Sequence, residues 1–305
     1  MKISVCITHY NRADKLAPTL ESLANQTLVP DEVFVWDDTS PVDPAPVVES
    51  FQGRFPRLVY HRNSSNLGMP GNLNAVLSQA SGDYVANLHD ADIFDPMLLE
   101  KWAKALDDHP SAGMVFCGYN CEEKEADTRQ DVILNLPPIS NGRDFFRNRL
   151  VGNLSCPIWG TNMVRKSVHD KLLPFDGRFR NWADVDYWMR ICLEHDIAYV
   201  PEALISLDAS DTPERRFSWY RVFVMNETYM INIRRHFGTD HVGLRKALDK
   251  QSNFLRKRYF RLMGRLWRWR DYPSIKSGVA LLPSIFSSRL HEEPQWFCEQ
   301  VGPHR

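Results

Sequence analysis

Across residues 1 to 120, short β-branched and aromatic runs alternate with segments of helical periodicity, and this alternation restricts the fold more than any other feature. Ile3 to Thr8 is the first apolar run. Asp14 to Asn25 follows, with Leu16, Leu20 and Leu23 at helical spacing. Glu32 to Trp36 is a second run, closed by Asp37 and Asp38. Pro44 to Phe51 has room for a short helix, and Leu58 to Tyr60 reads as a third strand. Gly71 to Ala80 carries Leu73, Val76, Leu77 and Ala80 in helical register. Tyr84 to Leu88 is a fourth strand. Pro96 to Leu106 is a helix with proline in its first turn, and Met114 to Cys117 is a further strand. Strands and helices in turn predict a mainly parallel sheet covered on both faces.

Sheets of this kind gather ligands outside the carboxyl ends of their strands. The loops after the first, second and fourth strands are Thr8-His9-Tyr10-Asn11-Arg12, Asp37-Asp38-Thr39-Ser40 and Asp90-Ala91-Asp92. All three are polar and are expected to open onto one crevice, although solvation alone also puts polar residues in loops. The last of them follows the apolar run Val85-Ala86-Asn87-Leu88-His89. Residues i and i+2 of a strand share a face, so Asp90 and Asp92 can address one site. Two hard oxygen donors suit Mg²⁺ or Mn²⁺, commonly held by one or two carboxylates plus substrate phosphates. Such a cation, bridged to a diphosphate, implies nucleotide chemistry. A solvated turn is the plain alternative.

Composition narrows the partners. A net charge of -1 gives no global attraction to nucleic acid. The N-terminal run from Ile3 is too short for a signal peptide and reads as a strand. No apolar run approaches the roughly 18 residues of a bilayer span, and the longest candidate, Ser277 to Phe286, is broken by Pro283. The six cysteines form no CxxC pair, which argues against a zinc or thioredoxin-like site. They read as small apolar residues in a reducing, cytoplasmic setting, with no disulfide expected between Cys117 and Cys121.

Beyond residue 120 the signals loosen. Residues 121 to 142 read as an excursion over the surface. Asp184 to His195 is helical, with Tyr187, Trp188, Ile191 and Cys192 as its apolar stripe, and Ile197 to Val200 is a strand. From about 211 the character becomes helical, with helices expected over Phe217 to His236 and Leu244 to Arg270. This predicts an α/β domain over 1–210 and a helical extension over 211–305.

Five segments, ISVCITHYNR (3–12), VFVWDDTS (33–40), NLGMPGNLNAVLSQASGDYVANLHDAD (66–92), GTNMVRKSVHDKLLPFDGRF (160–179) and NWADVDYWMRI (181–191), resemble the inverting family 2 glycosyltransferases in order and spacing. The resemblance covers roughly residues 1 to 210. It implies the GT-A fold, a Rossmann-like mixed, mainly parallel sheet flanked by helices, here with a C-terminal helical extension. It also implies a nucleotide-sugar donor, most simply UDP-linked. The acceptor would be a hydroxyl on a glycan or lipid-linked molecule, in polysaccharide, lipopolysaccharide or capsule synthesis.

Carried over position by position, the resemblance assigns nucleotide-sugar contacts to Thr8, Tyr10, Arg12, Asp38, Asn66, Gly68, Asn74, Asp90 and Ala91. Thr8 and Tyr10 would line the base pocket. Asp38 would accept an imide N–H, as an ionised carboxylate can; a turn pair is the alternative for Asp37 and Asp38. Asp90 and Asp92 match the family's metal-binding pair for Mn²⁺ or Mg²⁺, with the metal on Asp92 and Asp90 acting on ribose or through water. Asp184 matches the catalytic base. Trp182, Ala183 and Val185 would desolvate it and raise its pKa, whereas a helix N-terminal charge is the structural alternative. Asp186 reads as structural.

The chain departs from the family pattern at four places. Leu73 stands where an arginine is common, Ile93 where a further aspartate is common, and Ala183 where a glutamate precedes the base. No histidine lies in Leu204 to Pro213, where Asp208 or Asp211 is the candidate substitute. These departures keep a catalytically silent relative open. A nucleotidyltransferase is a second alternative, but the phosphate loop expected of one is missing near the first strand.

Other charged residues carry two readings each. His9 and His89 adjoin the acidic motifs, although Mg²⁺ prefers oxygen. Arg178 and Arg180 are candidates for an anionic group or simply loop charges, and Arg215 and Arg216 for a diphosphate clamp. Residues 254–270 hold seven basic and no acidic residues among Phe, Tyr, Leu and Trp. Such a helix fits peripheral contact with the inner face of a membrane or packing on the protein with its basic face solvated.

Overall fold

The structure, a computed structural model, describes residues 1–123, 128–152, 158, 160–172, 174–208 and 219–285. Its chain divides into two compact units. The first comprises Met1–Gly142, Pro157–Gly177 and Glu194–Ser210; the second comprises Arg143–Cys156, Arg178–Leu193 and Asp211–Arg305.

In the first unit, ten strands among the described residues form one sheet. They are β1 (Ile3–His9), β2 (Glu32–Asp37), β3 (Leu58–Arg62), β4 (Tyr84–His89), β5 (Ile93–Phe94), β6 (Ala112–Glu123), β7 (Thr128–Val132), β8 (Ile139–Ser140), β9 (Asn162–Arg165) and β10 (Asp196–Leu207). The order is β3-β2-β1-β4-β9-β6-β10-β5, with β7 paired to β6 and β8 to β10. β3, β2, β1 and β4 run parallel, as do β6 and β10. β9 is antiparallel to both β4 and β6, which it joins.

Burial explains the early strands. β2 is buried at every position, and β1 at all but Thr8. Parallel strands covered on both faces read as near-continuous apolar runs. Ile3, Val5 and Ile7 join the core cluster with Leu16, Leu20 and Leu23 of α1 (Ala13–Ala24), Val48 of α2 (Ala45–Glu49) and Leu98, Leu99, Trp102 and Leu106 of α4 (Leu98–Asp108). The alternate residue Cys6 faces the other way, its Sγ 3.9 Å from the Val76 carbonyl of α3 (Gly68–Leu77). Fully burying each of these leucines contributes roughly 1.5–3 kcal/mol.

The chain leaves β1 for β2 and β3 on one side and returns to β4 on the other. The β1–β4 boundary is therefore a topological switch point, where ligands bind in open α/β sheets. Both strands finish at the same edge, since Thr8 is level with His89.

Two expectations gain detail. The stretch read as a surface excursion starts with strand pairing, since β6 runs on to Glu123 and pairs antiparallel with β7. β10 is also much longer than Ile197 to Val200. Register shifts beside Val200 and Ala203 carry its pairing past Pro201, which has no N–H to donate. Cys6, Cys117 and Cys192 are free and buried, the small core residues their context suggested.

The second unit is helical. It contains α7 (Ala183–Glu194), α8 (Trp219–Phe237), α9 (His241–Arg268), α10 (Tyr272–Ala280) and α11 (Leu282–Ile285), while the short α5 (Gly142–Phe145) and α6 (Lys166–His169) lie earlier in the chain. Asp186 of α7 is fully buried and accepts from Arg190 Nε at 2.9 Å, Asn232 Nδ2 at 2.8 Å and Arg235 at 2.6 Å. It ties the first turn of α7 to α8, in keeping with a structural role. His236 of α8 is stacked on Phe146, centroids 3.6 Å apart, with Nε2 2.8 Å from the Met189 carbonyl. Burial pushes its pKa down to about 4, against the hydrogen bond to Met189. Among the described residues no helix is long and apolar enough to cross a membrane.

Candidate functional site

The loops at the ends of β1, β2 and β4 meet, and the backbone joins them first. Asp38 donates its N–H to the His9 carbonyl at 2.9 Å. Asn11 sits at φ +56° and donates its N–H to Ser40 Oγ at 2.8 Å. Thr39 holds φ +65°, an outlying conformation for a β-branched residue, and its hydroxyl donates to the Asn63 carbonyl at 3.1 Å. Backbone strain of this kind persists only where surrounding contacts over-determine it.

Asp90 is drawn into the first loop. Its Oδ2 accepts from the Tyr10 N–H at 3.3 Å and lies 2.8 Å from His9 Nδ1; its Oδ1 lies 3.4 Å from Arg12 Nη1. The carboxylate is buried, so these partners offset a desolvation cost of several kcal/mol. Tyr10 (45% exposed) leaves its ring available above this anchored backbone, and Thr8 is half-buried beside it. Ala91, buried between the two carboxylates, offers its backbone only.

Asp92 is placed differently. It lies in the turn from β4 to β5, and β5 pairs with β10 at Ile205 and Ser206. That pairing brings up the end of β10, and Asp208 donates its N–H to Asp92 Oδ1 at 3.2 Å. Asp92 Oδ2 is buried with no hydrogen-bond partner among the described residues. His89 Nδ1 stands 3.2 Å from it without hydrogen-bond alignment. The His89 ring lies against Gly160, where a β-carbon would overlap the imidazole. The Gly160 carbonyl accepts from both Asn87 and Asn162 at 3.1 Å, a cross-strand pair of β4 and β9.

One face of α1, with Gln26 just beyond its end, clamps the segment that carries Asp92. Thr19 Oγ1 donates to the Asp92 carbonyl at 2.9 Å, the Phe94 N–H to Ser22 Oγ at 3.2 Å, and Gln26 Nε2 to the Asp95 carbonyl at 2.7 Å. Sequence reasoning missed these supports, although Thr19, Ser22 and Gln26 recur at helical spacing.

The other predicted residues are tied into the same unit. Asp38 accepts from Asn63 Nδ2 and the N–H groups of Leu67 and Gly68, so it caps the start of α3. Asn66 donates to the Asp38 carbonyl at 3.1 Å and accepts the Gly68 N–H. Gly68 takes φ +71° there, a conformation glycine adopts freely. Asn74 pairs in both directions with the Phe175 backbone, donating at 2.9 Å and accepting at 2.8 Å. Its amide is spent on holding that segment. Asp37 is buried against Ser40 and Arg62. Asn63, unremarked in the sequence, and Asn72 complete the network under Asp38.

Asp184 lies in the second unit, half-buried in the first turn of α7, where its Oδ1 accepts the Val185 N–H. Just before it, Arg180 takes φ +48° with its guanidinium over the Tyr220 ring, and Trp182 Nε1 donates to the Arg221 carbonyl at 3.1 Å. Arg178 stands over Phe179. Asp211, Arg215 and Arg216 lie outside the described residues.

Among the described residues no group of three or more His, Cys, Asp or Glu side chains could hold a metal. A buried, unpartnered carboxylate oxygen nevertheless fits one, because Mg²⁺-type sites often take only one or two carboxylates and fill the rest with water and substrate phosphate. His89 Nδ1, 3.2 Å from Asp92 Oδ2, would stand beside a cation held there.

Known proteins match this arrangement. A family model described as Glycosyl transferase family 2 matches residues 4–173. The uncharacterized glycosyltransferase YwdF of Bacillus subtilis (strain 168) is 30% identical over 220 residues, covering 71% of this chain and 77% of the relative. The putative glycosyltransferase EpsE of the same organism is 26% identical over 229 residues, covering 72% and 78%. Among solved structures, S. aureus TarS 1-349 in complex with UDP aligns with a TM-score of 0.60 at 20% identity, over 84% of this chain and 71% of that one. Mannosyltransferase PcManGT from Pyrobaculum calidifontis, in complex with GDP-Man and Mn2+, aligns with a TM-score of 0.58 at 13% identity, over 98% and 86%. The sheet order, its switch point and the family model agree: the chain belongs to glycosyl transferase family 2 and is a glycosyltransferase with the GT-A fold.

Proposed function

We propose that this enzyme transfers a sugar from a nucleoside diphosphate, with UDP the first candidate, to an acceptor hydroxyl with inversion at the anomeric carbon. The acceptor is a glycan or lipid-linked molecule of polysaccharide, lipopolysaccharide or capsule assembly, and not a nucleic acid. The observation that carries this reading is Asp92, beside the β1–β4 switch point, whose buried Oδ2 has no hydrogen-bond partner among the described residues. Relatives of the same fold support it through the donors in their complexes, UDP-GlcNAc in one and GDP-Man with Mn2+ in another.

Each residue then has a task. Tyr10 offers a ring to stack on the base, with Thr8 beside it. Arg12 meets a phosphate from its place beside Asp90, and Asp90 holds the first loop in order and reaches the ribose directly or through water. Asp38 orders the start of α3 and keeps capacity to accept from the base. Asn66, Gly68 and Asn74 shape the pocket's floor through the backbone they hold, with the Ala91 backbone completing it. Asp92, with His89 Nδ1, would hold Mn²⁺ or Mg²⁺, which supplies neutralisation of the charge that grows on the departing diphosphate.

Asp184 takes the proton of the acceptor hydroxyl. The oxygen forms its bond to the anomeric carbon from the face opposite the diphosphate, and the pair of the breaking C–O bond leaves with the diphosphate oxygen. One general base is enough, because a direct displacement needs no covalent enzyme intermediate.

The test is release of nucleoside diphosphate from UDP-, GDP- and dTDP-sugars, and of CMP from CMP-sugars, with and without Mn²⁺ and with acceptor present. One diphosphate donor should turn over and raise the melting temperature when bound. Failure of every nucleotide to bind the native protein at millimolar concentration with Mn²⁺ present would overturn the reading.

A further inference from the structure

We infer that the exposed face of α9, with the corner that follows it, is a docking surface for an anionic phospholipid bilayer. Both readings of residues 254–270 meet in this helix. Its apolar stripe is already used: Ala247, Leu248, Leu255, Tyr259 and Leu266 are buried. Tyr259 donates its hydroxyl to the Gly278 carbonyl of α10 at 2.8 Å and packs on Trp219 of α8. The helix therefore lays no apolar side in lipid, and whatever it offers a membrane lies on its other face.

That face is basic. Lys246, Lys250, Lys257, Arg261, Arg265 and Arg268 are exposed on α9, and the exposed acid among them is Asp249. From Lys250 to Arg270 the sequence contains no acidic residue. Aromatic side chains stand among the cations, with Phe260 56%, Trp267 67%, Trp269 66% and Tyr272 58% exposed. Three of the four cluster at the corner, where Arg270 at φ +56° turns the chain into α10. The Trp267 and Tyr272 rings meet edge to face at 6.4 Å.

The corner is also braced. Trp219 Nε1 donates to the Ser274 carbonyl at 2.8 Å, and Asp271 caps α10 by accepting the Ser274 N–H. Gly278 lies so close to Trp219 and Met263 that a β-carbon would collide with both. Indole rings held out in water by a fixed corner, with cations behind them, match the chemistry of a lipid interface. The amphipathic rings sit at the headgroup level, and Lys and Arg meet anionic phosphates. A nucleic acid would use the same cations but would need no cluster of exposed indoles on one corner. The inference does not depend on the donor, the metal or the base.

The test is co-sedimentation of the full-length protein with vesicles of phosphatidylcholine alone and with added phosphatidylglycerol. Binding is expected only to the anionic vesicles and should weaken with salt. The triple variant Arg261→Glu, Arg265→Glu, Arg268→Glu should bind roughly 100-fold more weakly, about fivefold for each lost cation. Trp267→Ser with Trp269→Ser should lose the blue shift of tryptophan emission that anionic vesicles induce in the native protein. Unchanged circular dichroism and melting temperature establish that both variants fold. Absence of binding to anionic vesicles overturns the inference. So does vesicle binding that both variants retain, or a single-stranded oligonucleotide that competes the protein off the vesicles at equal charge concentration.

Discussion

Asp208 donates its backbone N–H to Asp92 Oδ1 at 3.2 Å, and the other oxygen of the same carboxylate is buried without a hydrogen-bond partner among the described residues. One oxygen serves the fold and the other is available to a ligand. Asp92→Asn preserves the acceptor for Asp208 and removes the charge. The metal-free variant should melt at or above the native temperature, since a desolvated charge has gone. The stabilisation that Mn²⁺ with UDP gives the native protein should vanish, and transfer should fall at least ~100-fold. Thermal melts with and without Mn²⁺ decide it; a variant still stabilised by Mn²⁺ with UDP removes Asp92 from the metal site.

In the proposed metal site His89 would supply a nitrogen donor, which suits Mn²⁺ better than the oxygen-preferring Mg²⁺. His89→Ala should therefore cost about tenfold in Mn²⁺ affinity, read by electron paramagnetic resonance titration, and leave Mg²⁺-supported turnover less affected. Gly160→Ala should mimic it by pushing the imidazole aside, because a β-carbon there overlaps the ring. Equal losses with both metals would show that His89 shapes the loop without touching the ion.

The acid pair at the end of β4 was legible because an apolar run ends abruptly in carboxylates. The α/β architecture was legible because parallel strands buried on both faces leave continuous apolar runs. What gave no signal was β9, four residues antiparallel between β4 and β6, whose pairing is decided by distant partners. The contacts that set Asp90 and Asp92 apart were also hidden: β10 reaches Asp92 and the first loop folds over Asp90, contacts spanning 116 and 80 residues. Asn74 carried a motif position, yet its amide is given to the Phe175 backbone, which no local spacing reveals.

Acid should unfold the first unit partly through Glu32. This carboxylate is fully buried at the start of β2, and burial alone would raise its pKa. Hydrogen bonds from Ser4 Oγ, the Ser81 N–H and Ser81 Oγ, with the nearby Lys2 charge, win instead and lower it to about 2 from the ordinary 4.5. A lowered pKa stabilises the fold above the unfolded value, and that stability is lost as pH falls from 4.5 toward 2. The full difference is about 3 kcal/mol. Glu32→Gln should be less stable at pH 7 and show a flatter decline between pH 5 and 3, followed by urea denaturation at each pH. Parallel stability curves for the two proteins would refute this.

His236 adds a loss at milder pH. Burial keeps it neutral, with a pKa near 4 in the fold. The unfolded chain takes up its proton near 6.5, so stability present above 6.5 declines as pH falls toward 4. His236→Gln should remove the part of the decline that lies between pH 6.5 and 5, measured as urea midpoints. A decline of equal slope in both proteins would assign it elsewhere.

Asp184 and Asp186 are two residues apart on α7 and should separate cleanly. Asp186 is fully buried under Arg190, Asn232 and Arg235. Asp186→Ala strands two guanidinium groups and should cost about 3–5 kcal/mol, seen as a lower denaturant midpoint. Asp184 is half-buried in the first turn of α7, where its Oδ1 accepts the Val185 N–H. Asp184→Ala should leave the midpoint within about 1 kcal/mol of native. It should still bind the nucleotide, yet lose about 100-fold or more in transfer. Asp184→Ala with native turnover would remove it as the base. An Asp186→Ala protein with a native midpoint and lost transfer would move the role two residues along the helix.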